Sequence, residues 1–275
     1  MFKIAAATLL ALGLAMPAVA EITAIRAGRV ITDAAQPARG ASTILVENGR
    51  IIEINDAAAA LPAGAKVIDL SGKTVMPGLI DAHVHLTGTP DSQFWQEAVT
   101  TDEYSVAVGL ANAATTLRAG FTTVRDLGSG RLSGFAVRDA IANGIATGPR
   151  TLVSGPAISI IGGHGDVSGY RPEVNAALAM GNTCTGAEQC AARVREASRA
   201  GADVIKITAT GGVLSQQARG LGQHFTDAEM RAIVTTAHGL GLKVAAHAHG
   251  ARGIEAAANA GVDSIEHGTF ADAAA

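Results

Sequence analysis

Two patterns of apolar and polar positions divide the chain. Over residues 21–76 the apolar residues come in short runs, "AIRAGRVI", "STILVENGRIIEI" and "AKVIDL", with no amphipathic helix among them. These runs predict strands, and Asn48-Gly49 between two of them is a hairpin signal, because both residues accept the left-handed backbone of a tight turn. An Ala-rich stretch, "NDAAAALPAG", joins the second run to the third. From residue 77 the pattern changes. Near-continuous apolar runs, "LIDAHVH", "FTTVRDL", "TLVSGP", "DVIKITA", "LKVAAHAH" and "VDSIEHG", alternate with Ala-rich segments at 102–118, 133–143, 187–199, 227–239 and 250–259 that read as helices. A repeated punctuation, "RAGFTTV", "ANGIATG", "RAGADVI", "GLGLKV" and "NAGVDSI", places a glycine between a helix and the strand that follows. That is a compact helix-to-strand connection. Buried strands separated by helices imply an α/β fold with a parallel sheet. Six strand–helix steps are present, whereas a closed (β/α) barrel needs about eight. The sheet is therefore open, or the sequence is part of a longer barrel.

The composition agrees with a folded chain that has a large core: 275 residues, 48% hydrophobic and 16% charged. A net charge of −3 gives no reason to expect nucleic acid or an anionic membrane surface as a partner. The first twenty residues, "MFKIAAATLLALGLAMPAVA", have one lysine, an apolar stretch and a small-residue Ala18-Val19-Ala20 ending. They predict an export signal cleaved after Ala20, since the apolar run is shorter than the roughly 20 residues of a membrane span. The mature protein is then expected free of the membrane, in a bacterial periplasm or outside the cell. In that oxidising setting Cys184 and Cys190, which bracket "CTGAEQC", are expected to form a disulfide.

The candidate chemistry sits at strand ends. His83 and His85 are two residues apart, so on a strand their imidazoles project from one face. The other strand ends carry Arg125 and Asp126, Lys206, His247 and His249, and Glu266 and His267. Parallel α/β folds place their chemistry at such ends. Several imidazoles on separate strands point to a metal ion rather than to a packed core. Lys206 lies inside the apolar run "GADVIKITATGG", where an unpaired ammonium is strongly disfavoured. Two readings follow: a salt bridge to a buried carboxylate such as Asp126, or a neutral amine with a lowered pKa that captures CO2 as a carbamate and bridges two cations. His83 and His85 would then hold one ion, and His247 and His267 the other. Histidine and oxygen ligands favour zinc.

"PGLIDAHVHL", "ADVIKITATGG", "KVAAHAHG" and "GVDSIEHGT" together resemble the amidohydrolase superfamily, and "GGHGD" at 162–166 resembles its imidazolonepropionase-like and Xaa-Pro dipeptidase branch. The resemblance covers most of residues 21–270. It implies a (β/α)8 TIM barrel, of which about six units are present in 77–275, and a small β-sandwich to which 21–76 contributes. It implies a binuclear zinc centre of His83, His85, carboxylated Lys206, His247 and His267. His247 is preferred to His249 because the family's fifth-strand ligand is the first histidine of such a string. The family's catalytic aspartate belongs to an eighth strand absent from this sequence, so no residue here is assigned that role. Gly250 stands where deaminase-type members carry a glutamate, which favours a two-metal hydrolase.

The activity implied is hydrolysis of an amide or peptide C–N bond, by a hydroxide bridging two metals, in a dipeptide or Xaa-Pro-like substrate. A cyclic amide, imidazolone or lactone is the alternative, and an inactive metal-binding fragment is the alternative of another class. His164, His249, Tyr170 and Arg171 are candidates for orienting the substrate, the last two through its carboxylate. His224 and His238 receive no role, and a homo-oligomer is left open.

Overall fold

The hairpin signalled by Asn48-Gly49 is present: both residues have positive φ, 50° and 74°, and they join β2 (Ser42–Glu47) to β3 (Arg50–Asp56). The computed structural model describes residues 22–90, 92–212 and 220–275, so the export signal expected over 1–20 lies outside the described residues. The chain separates into two units, one ending at Pro77 and one spanning Gly78–Ala275.

In the first unit, β1 (Ile22–Val30) lies between β2, antiparallel to it, and β4 (Lys66–Val75), parallel to it, which gives the order β3-β2-β1-β4. Ala27, Val30 and Ile44 form its core, with Ile25, Val46, Ile54 and Val75 packed around them. Gly28 sits at a register shift, where a Cβ would lie 2.2 Å from the Ser71 carbonyl oxygen. Backbone approaches this close admit glycine alone.

The second unit alternates strand and helix as the pattern predicts. In order it comprises β5 (Leu79–Val84), α1 (Asp102–Arg118), β6 (Phe121–Asp126), α2 (Ser133–Ala142), β7 (Arg150–Val153), α3 (Pro172–Leu178), α4 (Ala187–Ala200), β8 (Val204–Thr208), α5 (Asp227–Gly239), β9 (Lys243–Gly250), α6 (Ala251–Ala260) and β10 (Ser264–Phe270). The strands are parallel and spatially sequential: β5-β6-β7 form one ladder and β8-β9-β10 the other. Ile158, just beyond β7, joins the ladders by accepting from the Thr208 amide and donating to the Lys206 carbonyl. Six parallel strands in sequential order with intervening helices make a TIM-barrel-type arrangement. The glycine punctuation works as expected: α4 and α6 end at Gly201 and Gly261, whose φ of 95° and 91° is the left-handed cap. Helix α5 starts with a capping box, the Thr226 side chain accepting from the Glu229 amide and Glu229 Oε2 from the Thr226 amide.

The main core, including Ile205, Ile207, Val244, Met230, Ile233 and Val194, binds α4, α5 and α6 to β8 and β9. A smaller cluster of Leu86, Ala113, Val124 and Val137 ties α1 and α2 to the first strands. Cys184 and Cys190 form the expected disulfide at the start of α4. At the start of β8, Asp203 donates its amide to the Val153 carbonyl at 2.8 Å while its carboxylate accepts from the Val153 amide at 2.9 Å. Asp263, just before β10, repeats this with Val244, at 2.8 Å for both bonds. Each aspartate thus clamps a new strand to the preceding one. No helix among the described residues is long and apolar enough to cross a membrane.

Candidate metal centre

Six of the eight histidines meet at the strand exits of the second unit. His83 lies on β5 and His85 directly after it, and the two Nε2 atoms are 3.3 Å apart. Each ring's other nitrogen is committed. His85 Nδ1 lies 2.8 Å from the Gly128 carbonyl oxygen, and His83 Nδ1 lies 3.0 Å from Glu266 Oε2. A carbonyl and an ionised carboxylate only accept, so both Nδ1 atoms carry the proton and the two Nε2 atoms are left facing each other. Two neutral rings in this arrangement would turn their Nε2 lone pairs toward one point, where a cation could lie.

Strand β8 is buried along its whole length and contributes Lys206, which is 4% exposed. Its Nζ lies 3.5 Å from His83 Nε2. Burial lowers its pKa to about 8, with Glu266 opposing the shift and Arg125 adding to it. The carboxylate partner considered for Lys206, Asp126, is engaged elsewhere, accepting from the Leu86 amide at 3.0 Å and the Gly128 amide at 3.2 Å. Burial, opposed by those two hydrogen bonds, raises the Asp126 carboxyl to about 6.

On β9, His247 and His249 are two residues apart and face the same cluster. Their ring centroids are 4.7 Å apart, and His267 lies 4.6 Å from His247 and 4.8 Å from His249. One ligand nitrogen from each of these three histidines falls within 4.8 Å of the others. Regular alternation would turn His267 away from its neighbour Glu266. Instead, His267 has φ of 75° at a register shift in β10, and both side chains reach the cluster. A non-glycine residue in that region is uncommon and marks a site where geometry is imposed. His267 is also 5.0 Å from His83, centroid to centroid, so the first and sixth strands share the centre.

His85, His247 and His267 are held toward their neutral forms. Burial, then the neighbouring His83, His249 and Lys206, lower His267 to about 4. Burial and the nearby His164 push His247 down to about 2, and burial also lowers His85. Neutral imidazoles with free lone pairs, gathered beside a partly deprotonated amine, are the donor set that a divalent ion of intermediate softness requires.

The structure therefore brings together His83, His85, Lys206, His247 and His267, and adds His249 to them. His164 joins from the loop after β7, its ring stacked on His247 at 4.2 Å. Gly212 makes that stacking possible, since a Cβ there would lie 2.6 Å from His164 Cε1 and 2.8 Å from His247 Cε1. Tyr170 and Arg171 lie at the start of α3, where the Tyr170 amide donates to Asn175 Oδ1 and the Arg171 carbonyl accepts from Val174 and Asn175. Sequence reasoning did not pair Glu266 with Arg125, yet Arg125 donates to Glu266 Oε1 at 2.6 Å. The available signal was two opposite charges, each at the end of an apolar strand.

The sequence profile of the Amidohydrolase family matches residues 74–275. Ochratoxinase of Aspergillus niger is 33% identical over 273 residues, covering 92% of this chain and 55% of that protein. A crystal structure of a Xaa-Pro dipeptidase with methionine bound in its active site superimposes with a TM-score of 0.81 at 35% identity, covering 92% of this chain and 63% of that one. A prolidase complexed with N-methylphosphonate-L-proline gives a TM-score of 0.80 at 33% identity, covering 92% and 62%. The chain thus spans between half and two thirds of the length of these relatives. The matched profile and the shared fold identify the chain as a member of the amidohydrolase family.

Proposed function

We propose that the protein is a metal-dependent amidohydrolase that cleaves an amide or peptide C–N bond in a small substrate bearing a free carboxylate, such as a dipeptide with C-terminal proline. The observation that carries this reading is the pair of facing Nε2 atoms on His83 and His85, beside Lys206 and within reach of His267. His83 and His85 would hold one divalent ion and His247 and His267 a second, and zinc suits the donor set. Bound there, two ions supply an activated water at neutral pH and a Lewis acid for the scissile carbonyl. Lys206, which releases its proton more readily than an exposed lysine, adds CO2 through Nζ to form a carbamate and loses one proton in doing so. A carbamate there would give the ions an anionic oxygen ligand. His164 and His249 orient the substrate, and Arg171 with Tyr170 meets its carboxylate. The likeness to a Xaa-Pro dipeptidase and to a prolidase complexed with N-methylphosphonate-L-proline supports this substrate class. Export by residues 1–20 would place the reaction outside the cytoplasm.

The test is metal content combined with a dipeptide screen. On the full-length protein the expected result is about two zinc ions per chain, lost in Lys206→Ala together with hydrolysis, and both partly restored by short carboxylic acids. One ion per chain, indifferent to that substitution, would overturn the two-metal reading.

A further inference from the structure

The carboxylate of Glu266 is 7% exposed and makes three contacts, none of them to an atom offered to substrate. Oε2 accepts from His83 Nδ1 at 3.0 Å, while Oε1 accepts from Arg125 at 2.6 Å and from Ser264 Oγ at 2.7 Å. Arg125 also donates its Nε to the carbonyl of Ala82, the residue before His83, at 2.7 Å. The guanidinium thus grips both the carboxylate and the backbone that carries His83. Glu266 sits on β10 beside His267, whereas His83 sits on β5, and these two strands share no backbone ladder. Along the chain, His83 and Glu266 are 183 residues apart.

We propose that Glu266 is the positioning residue for the metal-binding pair on the first strand. It fixes the Nδ1–H tautomer of His83, aims Nε2 at His85 and Lys206, and ties that ring to the strand that carries His267. An acceptor at Nδ1 fixes both the tautomer and the rotation of a ligating histidine, and it makes Nε2 a stronger donor. Arg125 and Ser264 hold the carboxylate in place, so the three side chains act as one brace between β5, β6 and β10. Because His83, Arg125 and Ser264 occupy both oxygens, the role is orientation and not proton transfer to substrate.

This inference rests on the metal-centre reading, so the experiment carries one readout that needs no metal. Chelator-competed zinc binding is measured for wild type, Glu266→Ala, Glu266→Gln and Arg125→Ala. Long-range 15N–1H correlations of the metal-free proteins report the His83 tautomer. Glu266→Ala is expected to weaken zinc binding by about 10–100-fold and to replace the single Nδ1–H pattern of His83 with a tautomer mixture. Glu266→Gln, whose amide oxygen can still accept from Nδ1–H, is expected to recover most of both. Arg125→Ala should fall between them. If Glu266→Ala does not fold, the Gln and Arg125 variants decide. The proposal is overturned if folded Glu266→Ala keeps wild-type affinity and tautomer, or if Glu266→Gln abolishes turnover while zinc stays bound as tightly as in wild type, which would make Glu266 a catalytic acid or base. If wild type binds no zinc, the metal reading fails, and the tautomer pattern alone then supports or overturns the role of Glu266.

Discussion

The two ends of the barrel strands use the same residue types to opposite effect. At the strand starts, Asp203 and Asp263 are charges with every need met. Each carboxylate accepts from a backbone amide of the neighbouring strand and from cationic side chains, Arg138 at 2.8 Å for Asp203 and Lys243 at 2.7 Å for Asp263. His238 adds a third partner to Asp263 at 2.9 Å. Burial alone would raise the pKa of Asp263, but those partners hold it well below the usual carboxylate range. At the strand exits, several polar groups beside the well-partnered Glu266 are ill served. Burial pushes Lys206 and His247 toward their neutral forms, burial pushes Asp126 up, and two imidazole Nε2 atoms face each other at 3.3 Å. Groups whose charged forms are stabilised by their surroundings hold a fold together. Groups held in states they would not choose mark where binding energy is to be spent. The strand starts serve stability, and on the proposed function the strand exits serve chemistry.

The widest separation between the ends should come from Lys206→Met. A methionine of similar length fills the same space without a buried amine. Hydrolysis should fall about 10³-fold or more, the loss expected when metal assistance worth several kcal/mol disappears. Metal-free stability should stay level or rise by about 1–3 kcal/mol, because a buried charge has been replaced by an apolar group. Urea unfolding of the metal-free variant together with its kcat/KM gives both numbers. A large loss of stability would mean that Lys206 supports the fold, and the contrast would collapse.

The mirror-image change is Asp203→Ala. It leaves the fully buried Val153 amide without its carboxylate partner and removes one anchor of Arg138. A stability loss of about 2 kcal/mol is expected in urea unfolding, mainly the cost of an unsatisfied buried donor. Turnover of the folded fraction should be unchanged. Asp263→Asn sharpens the same point through pH. Because the folded Asp263 has a lower pKa than the unfolded side chain at about 3.9, its contribution is fully present above that value and is lost as pH falls through the folded one. Wild type should therefore exceed the variant by about 1 kcal/mol at pH 7, and the gap should shrink in acid. A gap as large at pH 3 as at pH 7 would show that the clamp does not depend on the charge.

How far the sequence revealed this division depends on the range of the signals. The strands, the five Ala-rich helices and their closing glycines are written locally, in runs of apolar residues and in single residues with special backbone freedom. The His83–His85 pair is also local, since one strand face presents both rings. The brace between Arg125 and Glu266 joins residues 141 apart in sequence, and no periodicity relates them. Strand parity even misleads at β10: Glu266 and His267 should face opposite ways, and they converge only because His267 adopts φ of 75°. Parity also gave no means of choosing between Asp126 and Glu266 as the charge near Lys206. That depends on how the exit of β6 bends back to the amides of Leu86 and Gly128. Helix α3 was not anticipated, although Pro172 at its first turn followed by Glu173 is a helix-start signal.

The smallest expected effect tests where the exit end stops being chemistry and becomes recognition. Arg171 is exposed at the start of α3, away from the burial that shifts the histidines. If it meets the substrate carboxylate, Arg171→Ala should raise KM for a dipeptide about tenfold, the worth of one partly solvated charge-assisted contact, and leave kcat unchanged. The same substitution should have no effect on the amidated form of that dipeptide, which lacks the carboxylate. A uniform binding loss of this kind separates Arg171 from Lys206, whose loss falls on the transition state. An equal rise in KM for both substrates would remove Arg171 from the binding site and restrict recognition to the cluster of imidazoles at the strand exits.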